Sequence, residues 1–145
     1  MIKIICLGKI KEKYLIDLIA DYQKRISKYH KIEIIELKDE NDLNLEKKNI
    51  EKNITKQDYI IALDINGEQI TSESLAKKIE ETFIHHSTIT FIIGSSIGLH
   101  PDIKNIADFK LSFSSMTFPH GLFRGILLEQ IYRSFKIINK ETYHK

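Results

Sequence analysis

A chain of 145 residues, with 42% hydrophobic and 29% charged side chains, fits one globular domain with a real core and is too short for two independent ones. A single cysteine excludes an internal disulfide. Nowhere do eighteen apolar residues follow one another, nor does a basic segment lead into a long apolar one, so a membrane span and secretion are both disfavoured.

The net charge of +2 is unevenly spread. Residues 1–31 hold eight Lys and Arg against three Asp and Glu, residues 32–81 seven against thirteen, and residues 82–145 seven against four. Basic ends around an acidic middle suit a fold whose two ends meet at a polyanion, and suit an ordinary solvated surface equally well.

The run 2–7 is apolar and reads as a first strand. It contains Cys6, whose setting predicts a buried thiol rather than a reactive one, in keeping with a reducing, cytoplasmic location. Leu15, Leu18, Ile19, Tyr22, Ile26 and Tyr29 then recur at spacings of three and four, with Lys24, Arg25 and Lys28 opposite, which predicts an amphipathic helix. A second strand is expected over 32–37, a loop over 39–44, and a polar stretch of weak periodicity over 45–54.

Residues 59–63 predict a third strand, followed by a turn at Ile65, Asn66 and Gly67. Thr71 or Ser72 can cap a helix reaching about Thr82, with Glu73 placed to suit its dipole. A strand at 89–93, a short helix at 101–107 and a strand at 109–113 complete the alternation. After Pro119 a final helix runs over 120–138. Its apolar residues spread over more than one face, so it must pack on the sheet and on something else, most simply a second subunit. A homodimer is therefore expected. Gly121 and Gly125 share one face of this helix, where close packing explains them better than a hinge.

Alternating strands and helices predict an α/β fold with a mostly parallel sheet of five to six strands and helices on both faces. Ligands of such sheets sit beyond the carboxyl ends of the strands, which selects the loops after Leu63, Ile93 and Phe113. The loop Gly94, Ser95, Ser96, Ile97, Gly98 has neither dinucleotide-binding spacing nor a phosphate-loop lysine. Asp64 can hydrogen-bond a ligand hydroxyl or cap the turn that follows it. His85 and His86 lack a third ligand at metal spacing, so no metal is expected. No nucleophile elbow or cysteine suits hydrolysis. The segment Phe113, Ser114, Ser115, Met116, Thr117, Phe118 mixes apolar side chains with small hydroxyls. Such a loop can grip an uncharged aromatic ring while backbone groups read its edge.

That segment, together with Pro119, His120, Leu122, Arg124, Glu129, Gln130, Tyr132, Arg133 and the terminal Tyr143, His144 and Lys145, resembles the bacterial 23S rRNA (pseudouridine-N3) methyltransferase family of the SPOUT superfamily. Gly8, Lys9, Lys11, Glu12, Tyr14, Leu63, Asp64 and Gly67 extend the resemblance over nearly the whole chain. It implies S-adenosylmethionine as methyl donor, 23S rRNA as substrate, either naked or within the ribosome, a homodimer, and a backbone tied in a trefoil knot. Cofactor contacts would fall to Leu63, Gly94, Phe113, Ser114, Ser115, Met116, Thr117 and Phe118. Departures from the family are Ser95 where a second glycine is usual, Thr142 where a proline is usual, and a segment between the second and third strands that is usually longer in the family.

The target nitrogen must lose its proton, and His120, His144 and Tyr143 are the candidates for that chemistry. His120 can instead cap or pack, and the tail can instead order itself against a partner. Lys9, Lys11, Arg124, Arg133 and Lys145 are candidate RNA contacts, although Arg133 can equally pair with Glu129 four positions back.

Overall fold

A computed structural model describes residues 1–145. Its elements are β1 (Ile2–Leu7), α1 (Lys13–Ser27), β2 (Ile32–Leu37), α2 (Leu43–Glu51), β3 (Tyr59–Gln69), α3 (Ser72–His85), β4 (Ile89–Ile93), α4 (Pro101–Ile106), β5 (Phe109–Ser112) and α5 (His120–Ile138). The five strands form one sheet, parallel throughout, in the order β2, β1, β4, β3, β5. The expected α/β architecture stands, with five strands rather than six.

Strand alternation divides the core. Ile2, Ile4 and Cys6 of β1 point with Phe91 and Ile93 of β4 toward α1, α3 and α5, whereas Ile5, Leu7 and Ile92 point toward Ile50 of α2 and Ile103 of α4. Both faces are thus covered, as an all-parallel sheet requires. Burial pushes the Cys6 thiol up to about 11, so it is protonated at neutral pH, and its Sγ lies 3.4 Å from the Ile35 carbonyl oxygen. Lys3 points to the α2 side at the other end of β1. Its Nζ donates to Asn53 O at 2.8 Å and to Asp58 Oδ2 at 3.0 Å, and Thr90 donates to the same oxygen at 3.0 Å. No helix is long and apolar enough to cross a membrane.

Three expectations change. The predicted turn at Ile65, Asn66 and Gly67 lies inside β3, which bulges there: Leu63 and Glu68 both pair with Leu111. A Cβ on Gly67 would stand 2.7 Å from the Lys110 carbonyl oxygen, so only glycine lets the bulged strand stay against β5. The polar stretch after β2 is a helix beginning at Leu43, because the Asp42 carboxylate accepts from Asn44 N and Leu45 N and supplies a cap. Finally, the broad apolar surface of α5 is covered within the chain. Leu127, Leu128, Ile131 and Phe135 join the core with α1 and α3 on either side, so the breadth of that surface does not by itself require a second subunit. Gly121 and Gly125 do serve packing, since Cβ atoms there would meet Leu15 and Leu18 of α1 at 2.7 and 2.8 Å.

Candidate active site

The bulged segment of β3 and the loops that follow β4 and β5 converge on a cleft of about 320 Å³ at the carboxyl edge of the sheet, a volume at the lower end of the roughly 300–1,000 Å³ usual for small-molecule sites. Each wall has a local cause. On the β3 side the bulge sets Asp64, Ile65 and Asn66 along the rim, and Asp64 Oδ1 accepts from Asn66 N at 3.1 Å. Asp64 therefore closes its own turn while also facing the cleft, with Lys104 at 3.6 Å.

The β4 wall is the turn Gly94 to Gly98. Gly98 N donates to Ser95 O at 2.9 Å, and Gly98 sits at φ +87, a conformation that favours glycine. A Cβ on Gly94 would lie 2.6 Å from the Gly98 carbonyl oxygen, so the turn closes only over glycine. Ser95, the departure from the family pattern, keeps its side chain out of the cleft's centre by donating to Glu46 Oε1 at 2.9 Å.

After β5 the chain turns under its own hydroxyls. Ser112 Oγ bonds Ile65 O at 3.1 Å and so ties β5 to the bulge, while Met116 N donates to Ser114 Oγ at 3.0 Å. Phe113 and Phe118 then face Phe123 of α5, with ring centroids 5.1 and 6.0 Å apart. Three aromatic rings beside small hydroxyls make a site for a flat, largely uncharged ring.

Of the residues singled out from sequence, Leu63, Gly94, Phe113, Ser114, Met116, Thr117 and Phe118 line the cleft together, and Ser115 does not. His120 stands exposed at the rim, at the start of α5. Ile65, Asn66, Lys104 and Phe123 also line it and were not anticipated. Phe123 carried a signal, because it lies one helical turn beyond His120; Lys104 carried none.

Tyr143 and His144 do not line the cleft of their own chain. The Tyr143 hydroxyl donates to Glu129 Oε1 at 3.0 Å; burial, and then that hydrogen bond, push the phenol up to about 12. Arg133 pairs with the same Glu129 at 2.7 Å and directs Nη1 to His144 Nδ1 at 3.1 Å. His144 Nε2 therefore carries the proton toward Glu73 Oε1, 2.6 Å away. Both nitrogens are engaged, and in this arrangement His144 has no free lone pair.

The basic candidates separate too. Lys9, Lys11 and Lys145 are exposed. Arg124 is not available as an RNA contact: it is 3% exposed, with Nη1 at 2.6 Å from Glu36 Oε2 and Nη2 at 3.1 Å from Gly8 O. It anchors the loop that carries Lys9 and Lys11 rather than reaching solvent itself.

Residues 1–144 match the family model described as predicted SPOUT methyltransferase. A ribosomal RNA large subunit methyltransferase H of Acetivibrio thermocellus is 48% identical over 157 aligned positions covering 99% of each chain. A Methanococcus maripaludis protein given the same name provisionally is 55% identical over the same span and coverage. Among solved structures, a probable methylase family protein from Haemophilus influenzae superposes with a TM-score of 0.58 at 14% identity, covering 99% of this chain and 70% of that one. The tRNA-modifying enzyme TrmH/SpoU of A. aeolicus gives 0.51 at 16% identity, covering 95% and 77%. The SpoU methyltransferase AviRb from Streptomyces viridochromogenes, in complex with AdoMet, gives 0.50 at 9% identity, covering 90% and 56%. At these identities the structural likenesses speak for the fold alone.

Proposed function

The chain belongs to the SPOUT methyltransferase family, and from that premise we propose that it transfers a methyl group from S-adenosylmethionine to ribosomal RNA, at N3 of a pseudouridine in the 23S molecule. The observation that carries this reading is the convergence of the β3 bulge and the loops after β4 and β5 on one aromatic-walled cleft. The residues fit the donor. Phe113, Phe118 and Phe123 offer faces for its adenine ring, and the Gly94 turn keeps a backbone edge open to it. When bound, S-adenosylmethionine supplies a sulfonium methyl that a nitrogen lone pair can attack.

The chain's own part is to hold two reactants in line, which alone can supply on the order of 7–11 kcal/mol of the barrier, and to accept the N3 proton. His120, at the rim of the cleft, offers a ring nitrogen for that proton. Lys9 and Lys11, presented by the loop after β1 at the same edge of the sheet, position phosphates without reading sequence.

The homodimer belongs to this reading. Tyr14 of α1 and Leu122 of α5 are 71% and 40% exposed, and a second copy covering them would bring one tail toward the other's cleft. Tyr143, His144 and Lys145 would then serve the partner's substrate rather than their own.

A labelled-methyl assay on naked 23S rRNA and on assembled ribosomal subunits, followed by mapping of the modified nucleotide, tests the proposal. Methyl incorporation at a single uridine-derived N3 is expected. Binding of S-adenosylmethionine with no incorporation into either substrate would sink the catalytic reading.

A further inference from the structure

The most deeply buried carboxylate of the chain stands directly behind the cleft and has no part in the mechanism above. Glu46, in the first turn of α2, is 1% exposed. Both its oxygens are engaged: Oε1 accepts from the Ser95 hydroxyl at 2.9 Å, and Oε2 accepts from Glu40 N at 3.1 Å. These partners are neutral. A carboxylate held so deep without a cation opposes stability relative to an apolar side chain of similar size, so what it contributes is the geometry it imposes.

Ser95 is 4% exposed and follows Gly94 directly. Because Gly98 N is bonded to Ser95 O and the Gly94 backbone is closed against Gly98 O, the turn moves as one piece with Ser95. The same helix also holds the far side of the loop. His100 Nε2 lies 3.0 Å from Asn44 Oδ1, and Lys47 pairs with Asp102 at 2.9 Å. Asn44, Glu46 and Lys47, within one turn of α2, thus bracket the loop from both ends.

Resting on the methyltransferase reading, we propose that Glu46 is a positioning residue for the methyl donor: through Ser95 it sets the Gly94 to Gly98 turn against the cleft and thereby the affinity for S-adenosylmethionine, without touching it. α2 then has a task beyond covering the sheet. It transmits its own seating to the cofactor wall.

The test is calorimetric titration of wild type, Ser95→Ala, Glu46→Met, which removes the acceptor of the Ser95 hydroxyl, and the double variant with S-adenosylmethionine, alongside thermal unfolding and steady-state kinetics. Each single variant is expected to weaken donor binding about five- to tenfold, the loss of one well-placed hydrogen bond. The double variant is expected to lose no more than the worse single, since both break the same link. The KM for RNA and the kcat at saturating donor should stay at wild-type values, which a general loss of structure would not allow. Donor affinity unchanged in both singles, or losses that multiply in the double, overturns the inference while leaving the methyltransferase reading intact. Wild-type protein that binds no S-adenosylmethionine overturns both. Should Glu46→Met fail to fold, Glu46→Asp, which retracts the carboxylate from Ser95 and keeps its charge, carries the same expectation.

Discussion

Arg124 and Glu36 form an ion pair at 2.6 Å that is buried at one end only: the guanidinium is 4% exposed and the carboxylate 40%. The arginine Nε has no partner, so the cation depends on Glu36 and on Gly8 O. Removing the partner of a buried charge costs more than removing the charge itself. Glu36→Ala is therefore expected to destabilise by about 2–3 kcal/mol and Arg124→Met by about 1–2 kcal/mol, after allowance for solvent at the carboxylate. Urea unfolding of the two variants checks the order; equal losses would contradict it.

Two glycine substitutions separate a rigid neighbour from a yielding one. Gly94→Ala drives a Cβ into backbone at 2.6 Å and is expected to abolish detectable donor binding and to cost roughly 1–3 kcal/mol of stability. Gly125→Ala meets only the tip of the Leu18 side chain at 2.8 Å, and a helix interior favours alanine by about 1 kcal/mol. It should leave stability within about 1 kcal/mol of wild type. Thermal unfolding and calorimetry read both.

Acid sensitivity should trace to Asp58. Burial works to raise its carboxyl, but hydrogen bonds from Lys3, Thr55 and Thr90 outweigh it and hold the group below the usual carboxylate range. A folded-state value below the unfolded one means the stabilisation is present above the unfolded pKa, about 3.9, and is lost as pH falls through the lower folded value. Asp58→Asn should remove that dependence and flatten the stability profile below about pH 4. A profile as steep as wild type would assign the acid limb to other carboxylates.

The two proton-transfer candidates differ in where they act. His120→Gln is expected to lower methyl transfer by roughly 10²–10⁴ while leaving donor affinity near wild type. Deletion of Tyr143, His144 and Lys145 should spare donor binding and impair transfer. Restoration of transfer on mixing the deletion with His120→Gln protein would place tail and cleft on different subunits.

The sheet is legible in the sequence because its strands are short apolar runs between polar breaks, and the cleft is legible because a parallel sheet puts ligands at its carboxyl edge. Three features are not. Continuation of β3 through Asn66 and Gly67 is hidden, since those residue types signal a turn and only pairing with β5 reveals a bulge. The helix at Leu43 is hidden because its polar residues face loops rather than sheet. The fate of Arg124 is hidden because a basic residue near a nucleic-acid site looks the same in sequence whether it faces solvent or Glu36.

The lone thiol of Cys6 lies on β1 under the helices that cover the sheet, buried and protonated at neutral pH. It is out of reach of any alkylating reagent until the helices packed on that face lift from the sheet, so the protein carries its own clock for opening. Capture of that single sulfur should slow in proportion to donor occupancy wherever cleft and sheet open together. Where the cleft loops open alone, the clock should keep the same time with donor or without it.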